Sequence, residues 1–180
     1  MIDQHLPALQ IVVPLLAAPL CMLARARRRV LALTIVVCWL TFAMASRLLY
    51  LVSQSGPLDY EMGGWPAPYG IVYYIDAFNA LIVWLVAGMA AIVISYAPKS
   101  LDREIHPDQQ TLFLTAYLLC VTGLMGIAIT GDLFNLFVFL EISSLSSYAL
   151  ISMGRSRRAL LAAFQYLVMG TIGATFILIG

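Results

Sequence analysis

Six apolar stretches, separated by short polar breaks, run along this 180-residue chain. They cover residues 6–24, 30–52, 71–97, 111–130, 133–153 and 159–180, and each approaches or exceeds the ~20 predominantly apolar residues that a spanning helix needs. The pattern predicts an all-α integral membrane protein of about six transmembrane helices. The first stretch carries Pro7, Pro14 and Pro19, which predicts a kink there. Spanning helices tolerate proline where neighbours satisfy the freed carbonyls.

The polar breaks differ in kind. Arg25, Arg27, Arg28 and Arg29 lie between the first two stretches, Lys99 and Arg103 between the third and fourth, and Arg155, Arg157 and Arg158 between the fifth and sixth. Nine of the ten Lys and Arg residues therefore occupy alternate breaks, and the tenth, Arg47, lies toward the far end of the second stretch. The positive-inside rule puts those breaks in the cytoplasm and both chain ends outside. The break at residues 53–70 then faces outward. It holds the turn formers Gly56-Pro57, Gly63-Gly64 and Pro66-Ala67-Pro68, and brings Tyr60, Trp65, Tyr69, Tyr73 and Tyr74 to headgroup depth. It reads as an interfacial aromatic hairpin.

Composition narrows the function classes. The chain is 62% hydrophobic and 11% charged, with mean hydropathy +0.94, whereas a soluble domain is about half apolar and a quarter charged. Cys21, Cys38 and Cys120 all fall inside apolar stretches and read as small hydrophobes, with neither disulfide nor metal spacing. Asp3 and His5 precede the first stretch and the arginines follow it, the reverse of a signal peptide, so no cleavage is expected. A Gly-rich phosphate loop, HExxH and CxxC are all missing from the sequence. No catalytic residue, cofactor, metal or nucleic-acid partner is expected.

Chemistry concentrates in the fifth stretch. Glu141 stands near the middle of an otherwise uncharged run. An ionisable group at that depth costs several kcal/mol on most scales, roughly 3 or more, and by default marks an ion or proton pathway. Two readings stay open: a buried carboxyl that locks helices together, or one that takes up and releases protons beside a cation. At 3.6 residues per turn Phe134, Glu141 and Tyr148 share one stripe, with Ser144 beside it. Ser144 and Tyr148 are expected to hydrogen-bond Glu141 or hold water near it. Ser143 and Ser147 form a small-xxx-small pair that lets another helix approach. Asp132, after Gly131, is expected to cap the helix. Asp76 either sits at the outer interface or faces an aqueous access route. Gln165 is expected to hydrogen-bond between helices, and Gly170 and Ala174 to form a packing contact. His106, with Asp102, Glu104 and Asp108, reads as solvated. No Lys or Arg lies at the depth of Glu141.

The string from Gly131 to Leu150, GDLFNLFVFLEISSLSSYAL, closely resembles helix five of the proton-translocating antiporter-like family. That family holds the D subunit of Mrp-type Na+/H+ antiporters, the antiporter-like subunits of complex I and those of membrane-bound hydrogenases; LFNLFVF-x-E resembles the Mrp D subunit most. The stretch from Gly63 to Ile71, followed by Asp76, is similar to the family's outer hairpin, and Arg158-Ala159-Leu160 through Gln165 to Gly170 to the start of its helix six.

The resemblance implies the N-terminal part of a bundle of about fourteen helices, with two inverted repeats of about five helices each. Residues 1–110 would form helices one to three with the outer hairpin (53–70) and a cytoplasmic loop (98–110). Residues 111–180 would begin the proton-translocating repeat, ending within helix six. Glu141 would match the family's glutamate that pairs with a lysine on helix seven. Gln165 stands where many members carry a lysine, so no such charge is assigned there. Since Gly180 precedes the expected lysine, the chain is expected to be a fragment or one piece of a split subunit.

The function expected is a share of a proton pathway in monovalent cation/proton antiport, in the cell (inner) membrane. Partners would be other membrane subunits, lipid, and protons with sodium as candidate counter-ion. One alternative is a proton-pumping subunit of a complex I-like or hydrogenase complex, the only setting in which the chain would count as part of an enzyme. Another is a structural or assembly six-helix protein.

Overall fold

The computed structural model describes residues 3–24, 26–66 and 69–179. Arg25 of the basic cluster, Ala67 and Pro68 of the outer loop and Gly180 of the last stretch lie outside the described residues. Six long apolar helices follow in order: α1 (Leu6–Leu23), α2 (Arg27–Ser55), α3 (Ala77–Glu104), α4 (Gln110–Ile129), α5 (Leu133–Ser152) and α6 (Arg157–Ile179). A two-stranded sheet, β1 (Leu58–Glu61) with β2 (Val72–Ile75), stands between α2 and α3. All six expected spans are present, and the largest shifts are at the two ends of the third. Pro7 in the first turn of α1 needs no N–H partner, and α1 runs through Pro14 and Pro19 without a break.

The third span starts at Ala77, not residue 71. Val72-Tyr73-Tyr74-Ile75 is apolar enough to pass for helix, yet β-branched and aromatic residues favour a strand. It pairs antiparallel with β1, Leu58 opposite Ile75 and Glu61 opposite Val72. Gly63 and Gly64, at φ 68° and 76°, turn the chain between the strands in a conformation that strains any side chain. The hairpin therefore reaches to residue 75 instead of closing at residue 70. At its other end α3 continues through Pro98 to Glu104, so Lys99 and Arg103 belong to its last turns and the expected 98–110 loop shrinks to a few residues before α4.

Local contacts sort the helix ends into two groups. At one end Gly131 donates its N–H to the Val72 carbonyl (2.9 Å) and Tyr73 bridges Thr130, so the hairpin is fastened to the α4–α5 junction. At the other, Arg27 forms an ion pair with Asp102, and Ile105 bridges Gly154. Arg155 donates to the Ile105 carbonyl (3.1 Å) and the Asp102 carbonyl (3.4 Å). The arginine-bearing breaks thus share one end of the bundle and the hairpin takes the opposite end.

Two buried clusters fill the interior. One, toward the hairpin, joins Leu48, Ile75, Val83, Met125, Ile129 and Phe139; the other, toward the arginines, joins Cys38, Ile94, Leu101, Leu114, Leu118 and Met153. Helix α4 is central and touches α1, α2, α3 and α5. Helix α6 leans on α5 and buries only Ala163 and Ala174 among its described side chains.

Candidate functional site

Helix α5 is fixed along three of its sides before Glu141 is considered. Asp132 stops the preceding extended residues and accepts N–H bonds from Phe134 (2.9 Å) and Asn135 (3.4 Å), capping the helix. Thr130 and Asn135 close this end: the Asn135 amide donates to the Thr130 hydroxyl at 3.0 Å. Along its inner side α5 meets α4 with almost no gap. A Cβ on Gly123 would stand 2.6 Å from the Ser143 backbone nitrogen and 2.8 Å from its Cβ. One on Gly126 would enter the Phe139 ring. Ser143 is buried in this seam, and Ser147 lies 3.4 Å, Oγ to Sγ, from Cys120 of α4. The third side faces α6, where Tyr148 packs on Gly170 so closely that a Cβ there would overlap its hydroxyl. The Tyr148 and Tyr166 rings meet edge-on at 5.3 Å.

Glu141 lies on the same stripe as Phe134 and Tyr148, both of which border α6. As the ninth residue of α5 it lies about 12 Å along a helix about 30 Å long. Its neighbours on the stripe are Phe134, 68% exposed, and Leu145, 54% exposed, and Glu141 itself is half-buried. Among the described residues it has no hydrogen bond or ion pair, and no Lys or Arg stands at its depth in α5 or α6. Tyr148 opposes Gly170, and Phe137 shares a small cavity with Ile177 and Leu178. An antiparallel helix between those contacts brings Ala174 level with Glu141, and Ala174 is buried there. A short side chain at that height leaves room beside the carboxylate.

Several expectations change. Ser144 and Tyr148 do not hydrogen-bond Glu141: Tyr148 is about 10 Å further along α5 and buried under α6. Gln165 makes no interhelical bond among the described residues and is exposed, because α6 has a neighbour on only one side. Asp76 is the N-cap of α3, accepting from the Asn79 N–H at 2.8 Å. It thus stands at the hairpin end of the bundle, where it also borders a surface recess with Gly56, Pro57 and Phe78. The Ser143/Ser147 pair, Gly170 and Ala174 all lie in helix–helix contacts.

Other residues went unmarked in the sequence. Gln10 is fully buried between α1, α2 and α4, its amide nitrogen 3.2 Å from both the Thr41 carbonyl and the Met125 sulfur, while its Oε1 has no partner. Gln110, also buried, reaches the Leu101 carbonyl at 3.2 Å and satisfies the end of α3. Gly123 and Gly126, three apart on a span otherwise read only by hydropathy, were the available signal for the α4–α5 seam. Tyr73 is buried between Tyr60 and Phe139. Burial lifts its phenol above the ordinary tyrosine value, the Asn135 amide draws it back and Tyr60 adds to the rise.

Residues 130–180 match the family described as NADH:quinone oxidoreductase/Mrp antiporter, TM. Over 188 residues the chain is 40% identical to NADH-quinone oxidoreductase subunit N of Desulforudis audaxviator, an alignment covering 98% of this chain and 35% of the relative. It is 32% identical over 145 residues to the D subunit of the Na(+)/H(+) antiporter of Alkalihalophilus pseudofirmus, covering 77% of this chain and 29% of that one. The fold superposes on a chain of the Mrp complex from Dietzia sp. DQ12-45-1b with a TM-score of 0.87 at 26% identity, covering 99% of this chain and 33% of that one. The chain spans about a third of the length of the curated relatives it matches.

Proposed function

Because residues 130–180 belong to the NADH:quinone oxidoreductase/Mrp antiporter family, and the six helices match the N-terminal part of its antiporter-like subunits, we propose that the chain supplies Glu141 to a proton pathway in monovalent cation/proton antiport. The observation that carries this reading is the half-buried carboxyl at mid-span of α5, unpartnered among the described residues. The helix is capped at its start, packed on α4 along one side and on α6 along another, yet the carboxyl has no hydrogen bond or ion pair among the described residues.

A carboxyl favours its neutral form in an apolar setting and its charged form beside a cation. A cation brought to this carboxyl by further helices, and withdrawn again, would drive Glu141 to release and regain a proton. The cation belongs to polypeptide beyond these helices, since α1–α6 place none there. Residues 1–110 act in this proposal as the leading helices and hairpin, and residues 111–180 as the start of the translocating unit. The arginine-bearing end faces the cytoplasm and the hairpin the outer side of the cell (inner) membrane. Other membrane subunits surround the bundle, and sodium is the counter-ion.

The test is Glu141→Gln in the complete complex, which keeps the side-chain shape and removes the charge. Sodium-dependent proton exchange in everted vesicles is expected to vanish while native gels show normal assembly. Exchange at the parental rate rules out the role. Loss of assembly favours a purely structural carboxyl instead.

A second reading has its own support in the 40% identity to an NADH-quinone oxidoreductase subunit N. There the same glutamate would move protons in a redox-driven complex. Proton uptake that follows quinone reduction and ignores sodium would select it, as would genes for quinone-reducing subunits beside this one.

A further inference from the structure

At the arginine end, between the start of α2 and the end of α3, lies a cavity of about 570 Å³ lined by Ala26, Arg27, Arg28, Leu31, Pro98 and Asp102. Its size falls within the roughly 300–1,000 Å³ of small-molecule sites. Two chemistries share the wall. Leu31, Pro98 and Ala26 are apolar, while Arg27, Arg28 and Asp102 carry charge. Arg27 is already committed to Asp102, which Gln110 also approaches at 3.4 Å. The Arg28 guanidinium is exposed and, among the described residues, has no hydrogen bond or ion pair. The cavity therefore holds one unmatched positive charge, with exposed Arg29 and Lys99 adjoining it in sequence on either helix.

We infer that this cavity is a binding site for an anionic glycerophospholipid, its phosphodiester on Arg28 and the first carbons of its acyl chains along Leu31 and Pro98. The occupant is set by the place and the charge. The cavity opens where two membrane-spanning helices end, at the depth where a phospholipid changes from headgroup to hydrocarbon. A free phosphate would leave the apolar wall wet. A zwitterionic headgroup would bring a second cation to a site with one to spare. Basic pockets between spanning helices select anionic headgroups for this reason. The inference needs only that the helices span a bilayer, and does not depend on what Glu141 does.

The test places a photoreactive benzophenone side chain at Leu31 in the complete complex, reconstituted in phosphatidylcholine with a minority of phosphatidylglycerol. Mass spectrometry of the irradiated protein reads which lipid is attached. Phosphatidylglycerol adducts are expected at about five times their share of the bilayer, the ratio that one added cation at a membrane surface supports. Arg28→Gln should return them to that share and Arg28→Lys should keep the enrichment. Arg28 is exposed, so neither change threatens folding, and the same sample's native gel verifies assembly. Adducts at the bulk share mean ordinary surrounding lipid and overturn the site. Adducts to another polypeptide overturn it in favour of a protein contact. Enrichment abolished by millimolar inorganic phosphate reduces it to a plain anion site and overturns the lipid assignment.

Discussion

The seam between α4 and α5 makes a quantitative demand on one atom. Gly123→Ala adds a Cβ that would stand 2.6 Å from the Ser143 backbone nitrogen, 2.8 Å from its Cβ and 2.9 Å from the Phe139 carbonyl oxygen. Ordinary contact begins at 3.4 Å, and all three obstacles belong to the α5 backbone or its first side-chain atom, which cannot rotate away. The helices must therefore part by about 0.8 Å along that direction. A gap of about 0.5–1 Å forfeits a quarter to a half of the dispersion energy of the atoms it separates. Overpacking of this kind costs about 1–3 kcal/mol, net of the up to ~1 kcal/mol that alanine gains over glycine within a helix. Gly173→Ala on α6 supplies the control, because nothing lies within 4 Å of its added Cβ. Reversible unfolding of the reconstituted protein in mixed detergent, followed by circular dichroism, should show Gly123→Ala destabilised by that amount and Gly173→Ala neutral or slightly stabilised. Equal stability of the two variants would refute the close approach of α4 and α5.

Asp132→Ala should cost about 0.5–2 kcal/mol, the worth of an N-cap, and Asp132→Asn should restore most of it; hydrogen exchange at Phe134 and Asn135, whose amides it accepts, checks this directly. Gln10→Leu should be neutral or stabilising within about 1 kcal/mol, because it deletes a buried Oε1 that has no partner along with two long amide contacts; a loss above about 2 kcal/mol in the same unfolding assay would mean that Oε1 is satisfied. Tyr73 predicts an alkaline weakness. Its folded phenol titrates above the unfolded one, so its contribution is complete below the ordinary value of 10.0 and is lost as pH rises through the folded value. Stability measured from neutral pH to above pH 10 should fall less steeply in Tyr73→Phe than in the parent.

Hydropathy placed all six helices because length and apolar content are what a bilayer selects. It placed their ends less well wherever apolar residues also suit another structure. Val72–Ile75 is hydrophobic either as a strand or as a helix, and only the turn at Gly63-Gly64 and the capping Asp76 decide between them. Lys99 and Arg103 read as loop residues if charge ends a span, yet a helix can extend past the hydrocarbon into water. At the site, the cap at Asp132 was legible because capping is local in sequence. Hydrogen bonds from Ser144 or Tyr148 to Glu141 were misjudged for the opposite reason. Sharing a stripe brings Tyr148 to the face of Glu141, but side chains about 10 Å apart along it cannot touch, and Ser144, one turn away, makes no bond to Glu141 among the described residues. The Gln10 node, which joins residues 31 and 115 positions apart, has no local signature.

The placement of Glu141 is best judged by what surrounds α5. Local preferences agree along this helix: a cap at its start, glycines where α4 comes near, serines in that seam, and a glycine under Tyr148. Arg155 and the Ile105–Gly154 bridge then fasten the turn just beyond its far end. Against that consistency Glu141 is the single residue that breaks the rule for its position, a half-buried carboxylate at mid-span with no partner among the described residues. Such a group costs roughly 3 kcal/mol or more in lipid, and nothing in the six helices offsets it. A rule broken once, on an otherwise consistent element, is the pattern of a functional position. The missing partner also says where to look. A structural carboxyl is satisfied by its own bundle, as even the exposed Asp102 is by Arg27 and Gln110. Glu141 has no such partner among the described residues; the proposed function places that partner outside α1–α6, where a cation would make the carboxyl a proton carrier and a neutral group would make it a lock.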